Sequence, residues 1–200
     1  PNHRRDDALR SFEATMRDLR LDVLDLFLVH WPMADSPGID LVDTWRTMID
    51  ILESGRVRAV GVSNFQAEHL RTIIEATGVT PAVNQIELHP YLCQEQLRAL
   101  HDSLGIVTES WSPLGRGRLL EEPVVRDVAA TLGVTPAQVV IRWHVQHGLV
   151  VIPKTTHCER MRVNADVFSF GLSREQMAAI DACDRGLRTG SHPDRVQERP

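Results

Sequence analysis

The sequence of 200 residues holds three cysteines and a single tyrosine, and aromatic residues make up only 5% of it. Cys93, Cys158 and Cys183 are odd in number, widely spaced and free of any CxxC pair. That excludes a disulfide-stapled secreted scaffold and suits a reducing, cytoplasmic setting. No apolar run approaches the roughly 20 residues of a membrane-spanning helix, and the first residues, Pro1 to Asp7, lack the apolar core of a signal peptide. Positive charge is in deficit: 22 Lys and Arg against 27 Asp and Glu leave a net charge of −5. Neither nucleic acid nor an anionic membrane is broadly attracted, so any anion site must be local. No low-complexity linker interrupts the chain. With 42% hydrophobic and 24% charged residues it reads as one soluble domain over 1–200.

What is present is an alternation. Five short runs rich in Val, Ile and Leu, at 23–29, 57–62, 82–86, 105–108 and 149–152, predict buried strands. Between them apolar residues recur at helical spacing: Leu9, Phe12, Met16 and Leu19; Leu41, Trp45, Met48 and Leu52; Leu70, Ile73 and Ile74. Thr135-Pro136-Ala137-Gln138 supplies a cap, a first-turn proline and a capping-box glutamine, and Ser173 with Gln176 repeats the spacing, so helices are expected over 136–147 and 173–183. Strands joined through helices run parallel with right-handed crossovers, which leaves a doubly wound sheet or a (β/α)8 barrel.

Polar residues decide between these. Each run ends in polar chemistry: His30-Trp31, Ser63-Asn64, Gln85 with Glu87, Glu109 to Ser112, and Lys154 to Thr156. Reactive groups gathered past the carboxyl ends of successive strands are the mark of a barrel. A dinucleotide-binding doubly wound sheet calls instead for GxGxxG after its first strand, and the nearest match, Gly115 to Leu120, lacks the third glycine. The fold class expected is α/β, an incomplete (β/α)8 TIM barrel with about five of its eight units visible.

Four ordered motifs, Leu28 to Pro32, Gly55 to Phe65, Asn84 to Pro90 and Val151 to Lys154, carry a resemblance. Through them the chain resembles the aldo-keto reductase family over nearly its whole length, and especially bacterial members of the diketogluconate-reductase type, where Trp stands at the nicotinamide-stacking position as Trp111 does here. The resemblance implies NADPH-dependent reduction of aldehydes or ketones, a small-molecule carbonyl substrate, and a monomer if the chain is complete. A tyrosine, its pKa lowered by a lysine and an aspartate, protonates the carbonyl oxygen in that family. His30 matches the histidine that orients the carbonyl, and Trp31 lines the substrate pocket. Taken alone, a histidine closing an apolar strand is more often structural, and a core role is open to Trp31.

Ser63, Asn64 and Gln85 match the residues that hold the nicotinamide carboxamide, a group needing both donors and acceptors. Ser-Asn also reads as a helix cap, with Asn64 capping the helix that follows. By the same resemblance Trp111 stacks on the nicotinamide, Ser112 and Leu114 contact the pyrophosphate, and Lys154, Thr155 and Arg160 take the 2′-phosphate with Asn164 near the adenine. Physics alone supports the last group: Thr156 to Glu159 has capping-box spacing, predicting a helix amino terminus beside basic residues. A capped surface helix with ordinary exposed charges fits the same spacing.

Other signals weigh less. His144 and His147 are three apart without a third ligand or HExxH, so no metal site is expected. Gly61 to Phe65 misses the nucleophile elbow because Phe65 replaces its last glycine. Glu87 and Glu109 suggest a glycosidase pair, but each is accounted for by a family motif. Where the resemblance calls for a catalytic tyrosine there is a departure: the only tyrosine, Tyr91, follows His89-Pro90 at a loop position. With no initiator methionine, the chain is expected to be an amino-terminally truncated reductase comprising strands four to eight. The alternative is a truncated non-catalytic homologue that binds NADP(H) or a protein partner.

Overall fold

A computed structural model describes residues 3–33 and 36–195. Eight α-helices alternate with five strands among them: α1 Arg5–Leu19, β1 Leu24–Val29, α2 Leu41–Glu53, β2 Val57–Ser63, α3 Ala67–Thr77, β3 Val83–Glu87, α4 Glu95–Leu104, β4 Val107–Trp111, α5 Pro123–Leu132, α6 Pro136–Gln146, β5 Val150–Val151, α7 Cys158–Ala165 and α8 Arg174–Asp181, with a 3-10 segment over Gly115–Glu121. The strands follow chain order and the recorded pairs, β1–β2, β2–β3 and β4–β5, are parallel. Residues group into two compact units, one of Pro1–Gln85, Leu97–Val107 and Ser191–Pro200, the other of Ile86–Gln96 and Thr108–Gly190.

In the first unit, helical spacing buries what the sequence marks. Ala8, Phe12 and Met16 of α1 lie one turn apart and are buried, whereas Leu19 is 53% exposed at the helix end. Phe12 meets Phe27 of β1 edge to face at 5.3 Å. Asp40 caps α2 by accepting from Val42 and Asp43 N–H, which satisfies two of the orphan donors of a helix start. Trp45 and Met48 of that helix are buried, and the Trp45 indole donates to Val79 O at 3.1 Å.

Gly61 in β2 has a packing reason. A Cβ there would stand 2.7 Å from both Leu28 Cδ2 and the Val83 carbonyl, so neighbouring strands close over a position that only hydrogen can fill.

In the second unit, Thr135 and Gln138 form the expected capping box at α6, and Ser173 and Gln176 do so at α8. Helix α8 stops at Asp181, short of the expected 183, and the strand expected over 149–152 narrows to Val150–Val151. The box expected between Thr156 and Glu159 does not form. The cap position falls on His157, one residue later, so the third helical residue is Arg160 and Glu159 is out of register. Thr155 Oγ1 accepts the His157 N–H instead, at 3.2 Å. Among the described residues no single helix is long and apolar enough to cross a membrane, and none of the three cysteines is joined in a disulfide.

Gly61→Ala is expected to cost about 1–3 kcal/mol of stability through overpacking, read as a lowered urea midpoint. A midpoint equal to that of the parent would show that β1 and β3 give way freely.

Candidate active site

Residues at the carboxyl ends of β1 and β2 and Gln85 of β3 meet in the first unit through backbone and side-chain hydrogen bonds. Ser63 Oγ donates to Gln85 O at 2.9 Å, and Asn64 N–H donates to the same oxygen at 2.8 Å. Asn64 Nδ2 donates to His30 O at 3.0 Å and to Ser63 Oγ at 3.1 Å. Asn64 adopts φ of 66°, a left-handed conformation that asparagine tolerates better than most residues. Its expected role as a helix cap is therefore corrected. The cap of α3 is Gln66, whose N–H donates to His69 Nδ1 at 3.1 Å. Ser63 and Asn64 are buried.

His30, just past β1, is exposed and Trp31 is half-buried, their rings 6.0 Å apart. Both line a cavity of about 280 Å3 with Phe27, Met33, Thr44 and Met48. Behind this cluster Asn84 ties Phe65 to α4, donating to Phe65 O at 2.9 Å and lying 2.9 Å from the buried ring of His101. Burial holds the His101 pKa down to about 4 despite the opposing field of Asp102.

The second unit contains the other expected residues. Trp111 closes β4, half-buried. Ser112 follows at φ 51°, its carbonyl accepting from Gly115 N–H, and the Leu114 carbonyl accepts from Gly117 N–H, both at 2.9 Å. Thr155 and Asn164 rim an apolar cavity of about 380 Å3 whose walls include Ile141, Val151, Pro153, Met161 and Phe168. Lys154 and Arg160 are exposed and lie outside that lining. Phe168, 75% exposed, presents an aromatic face to solvent.

His144 and His147 have other partners than a metal. His144 Nδ1 lies 2.8 Å from Val140 O and Nε2 3.2 Å from Leu88 O, while His147 Nε2 is 2.9 Å from Asp181. Burial lowers the His144 pKa to about 4. Among the described residues no group of three or more His, Cys, Asp or Glu is arranged to hold a metal ion.

Sequence reasoning gave Glu87 no role of its own, yet it is fully buried. Its Oε1 accepts from Thr189 N–H at 2.6 Å and from Thr189 Oγ1, and Gly190 N–H reaches both carboxylate oxygens at 3.1 Å. His89 Nε2 lies 3.3 Å away and Arg188 3.6 Å. Burial alone would raise its pKa; the hydrogen bonds from His89, Thr189 and Gly190 outweigh that and bring it down to about 2. Nothing local in the sequence marks partners a hundred residues away. Tyr91 donates to Glu122 at 2.7 Å and lies under the Arg185 guanidinium, and burial followed by the Glu122 carboxylate raises its pKa.

Residues 1–185 match the family model described as Aldo/keto reductase family. The chain is 51% identical over 198 residues to 2,5-diketo-D-gluconic acid reductase B of a Corynebacterium species, covering 98% of this chain and 70% of that protein. It is 46% identical over 195 residues to methylglyoxal reductase DkgA of Escherichia coli, covering 94% and 70%. The crystal structure of a Gox0644 mutant in complex with NADPH superposes with a TM-score of 0.94 at 47% identity, covering 98% of this chain and 72% of that one. Parallel β/α units with polar strand ends, and relatives at this level of identity, define an oxidoreductase. The chain belongs to the aldo/keto reductase family.

The buried ionisable groups set the acid response. His101 and His144 have folded pKa values near 4 against 6.5 in the open chain. The unfolded state therefore takes up their protons first as pH falls. Their contribution is complete above pH 6.5 and is lost as pH falls from 6.5 toward 4, at about 1.4 kcal/mol per unit and group. Glu87 adds a second loss from its ordinary 4.5 down toward 2. Urea midpoints measured across this range are expected to fall on acidification, and a flat profile down to pH 5 would contradict the two buried neutral rings.

Proposed function

We propose that the chain takes part in NADPH-dependent reduction of aldehydes or ketones to alcohols, with NADPH, when bound, supplying the hydride. The observation that carries this beyond family membership is in the second unit. One short segment sets an apolar cavity, rimmed by Thr155 and Asn164, next in sequence to exposed Lys154 and Arg160. A flat heteroaromatic base suits the first feature and a phosphate dianion the second. Thr155 and Asn164 receive the adenine end, and Lys154 and Arg160 the 2′-phosphate. Ser112 and Leu114 belong to the pyrophosphate, and Trp111 to one face of the nicotinamide. In the first unit Ser63, Asn64 and Gln85 serve its carboxamide. His30 orients the carbonyl oxygen and Trp31 lines the substrate cavity; the NADPH complex of the Gox0644 mutant supports the choice of cofactor.

Tyr91 is not the proton donor. A general acid needs a pKa brought toward the working pH, and burial together with Glu122 moves this one away from it.

Arg160→Ala is expected to weaken NADPH binding by roughly tenfold to a hundredfold and to leave NADH unchanged, because only NADPH carries the extra phosphate. Fluorescence titration with both cofactors reads this, and equal losses would remove Arg160 from the phosphate. Tyr91→Phe should leave aldehyde reduction within about twofold of the parent; a drop of roughly a hundredfold would make Tyr91 the acid after all.

A further inference from the structure

Residues 188–190 form a strap whose backbone and side chains converge on one buried carboxylate. Glu87 is wholly excluded from solvent, yet it accepts from two backbone N–H groups and a hydroxyl of Thr189 and Gly190, with Arg188 at 3.6 Å. Desolvating a carboxylate is costly, and so many donors are spent on it only where the geometry they impose is held firmly. The strap is pinned again upstream, where Arg185 and Leu187 N–H both donate to the Tyr91 carbonyl.

What the strap presses on is Trp111. A Cβ on Gly190 would overlap Trp111 Cη2, lie 3.2 Å from Cζ3 and sit 3.3 Å from Glu87 Oε2. Gly190 has no left-handed φ among the glycines that do, so glycine is required there for space and not for backbone freedom. The six-membered edge of the indole is thus wedged against the strap's backbone. On its carbonyl side Trp111 is fixed by β4, where its O accepts from Leu88 N–H at 3.5 Å.

We propose that Glu87 is a positioning residue: its carboxylate latches Thr189 and Gly190 against the edge of Trp111 and thereby sets the attitude of the indole ring. The consequence for cofactor binding rests on the assignment of Trp111 to the nicotinamide made above. An indole held at a fixed tilt offers a prepared stacking face, whereas a free one must be ordered at each binding event. The latch acts on the nicotinamide end of the cofactor only.

The test uses the full chain labelled with 5-fluorotryptophan. Its four tryptophans give resolved fluorine resonances, and Trp111→Phe identifies one of them. In Glu87→Gln the Trp111 resonance is expected to move or broaden while the other three hold. NADPH affinity should fall about tenfold, the size of one lost charge-assisted hydrogen bond, with affinity for 2′,5′-ADP unchanged because that ligand lacks the nicotinamide. Gly190→Ala, which keeps the carboxylate, should displace the same resonance and weaken NADPH in the same selective way. An unmoved Trp111 resonance in both variants overturns the latch, and so does an equal loss of NADPH and 2′,5′-ADP, the mark of general unfolding. If the parent chain binds no NADPH, the proposed function fails, and the fluorine resonance alone still decides for or against the latch.

Discussion

The carbonyl oxygen of Gln85 accepts two hydrogen bonds, from the Ser63 hydroxyl and the Asn64 N–H, and the site in the first unit depends on that double attachment. It holds the end of β2 to β3, and Asn64, turned into a left-handed conformation, then extends its amide to the carbonyl of His30. One dipeptide joins the ends of β1 and β2 to β3. Backbone groups that would otherwise be buried without partners are satisfied, and the same side chains are fixed before any ligand arrives. Preorganisation of this kind lowers the ordering cost of binding.

Buried polarity in the second unit follows a similar rule with different means. Glu87 is kept ionised by converging donors, whereas His144 is kept neutral by its surroundings. The His144 ring nitrogens face two carbonyl oxygens. A neutral imidazole has one proton to give, so only one of those contacts is a full hydrogen bond, and burial outweighs the gain that a second proton would bring. Electrostatics and packing thus favour opposite charge states at two positions of one small unit, according to how many donors or acceptors each can reach.

Much of the fold was legible because its signals are local. Phe12 and Met16, Trp45 and Met48, and Leu70 and Ile73 declare their buried faces by spacing, and the caps at Thr135 and Ser173 are written in four residues each. The polar strand ends, His30, Ser63 and Gln85, could be located because they interrupt apolar runs. What could not be read was register and long-range partnership. The Thr156 cap failed by a single residue, since Thr155 closes the turn from its own hydroxyl. Asn64 looked like a cap because asparagine often is one, and nothing in the sequence shows that its amide has a better acceptor at His30 O. The link from Glu87 to Thr189 and Gly190 spans the length of the second unit and leaves no periodic trace. Family resemblance supplied roles for Lys154, Arg160 and Asn164 that spacing alone leaves divided between ligand and solvent.

Helix α7 buries none of its eight residues. It carries Arg160 and Asn164, so the side chains proposed for the anionic and heterocyclic ends of a nucleotide ride on a helix with little hydrophobic anchorage. Elements with few buried apolar contacts open with free energies far below that of the whole domain. Occupancy there would act as a missing piece of core, converting local fluctuation into order and spreading its gain through mass action. On the proposed assignment, affinity at this end would depend on the residual freedom of the helix as well as on its contacts with the nucleotide. A substitution on its solvent face that merely raised helix propensity would tighten binding without touching the ligand.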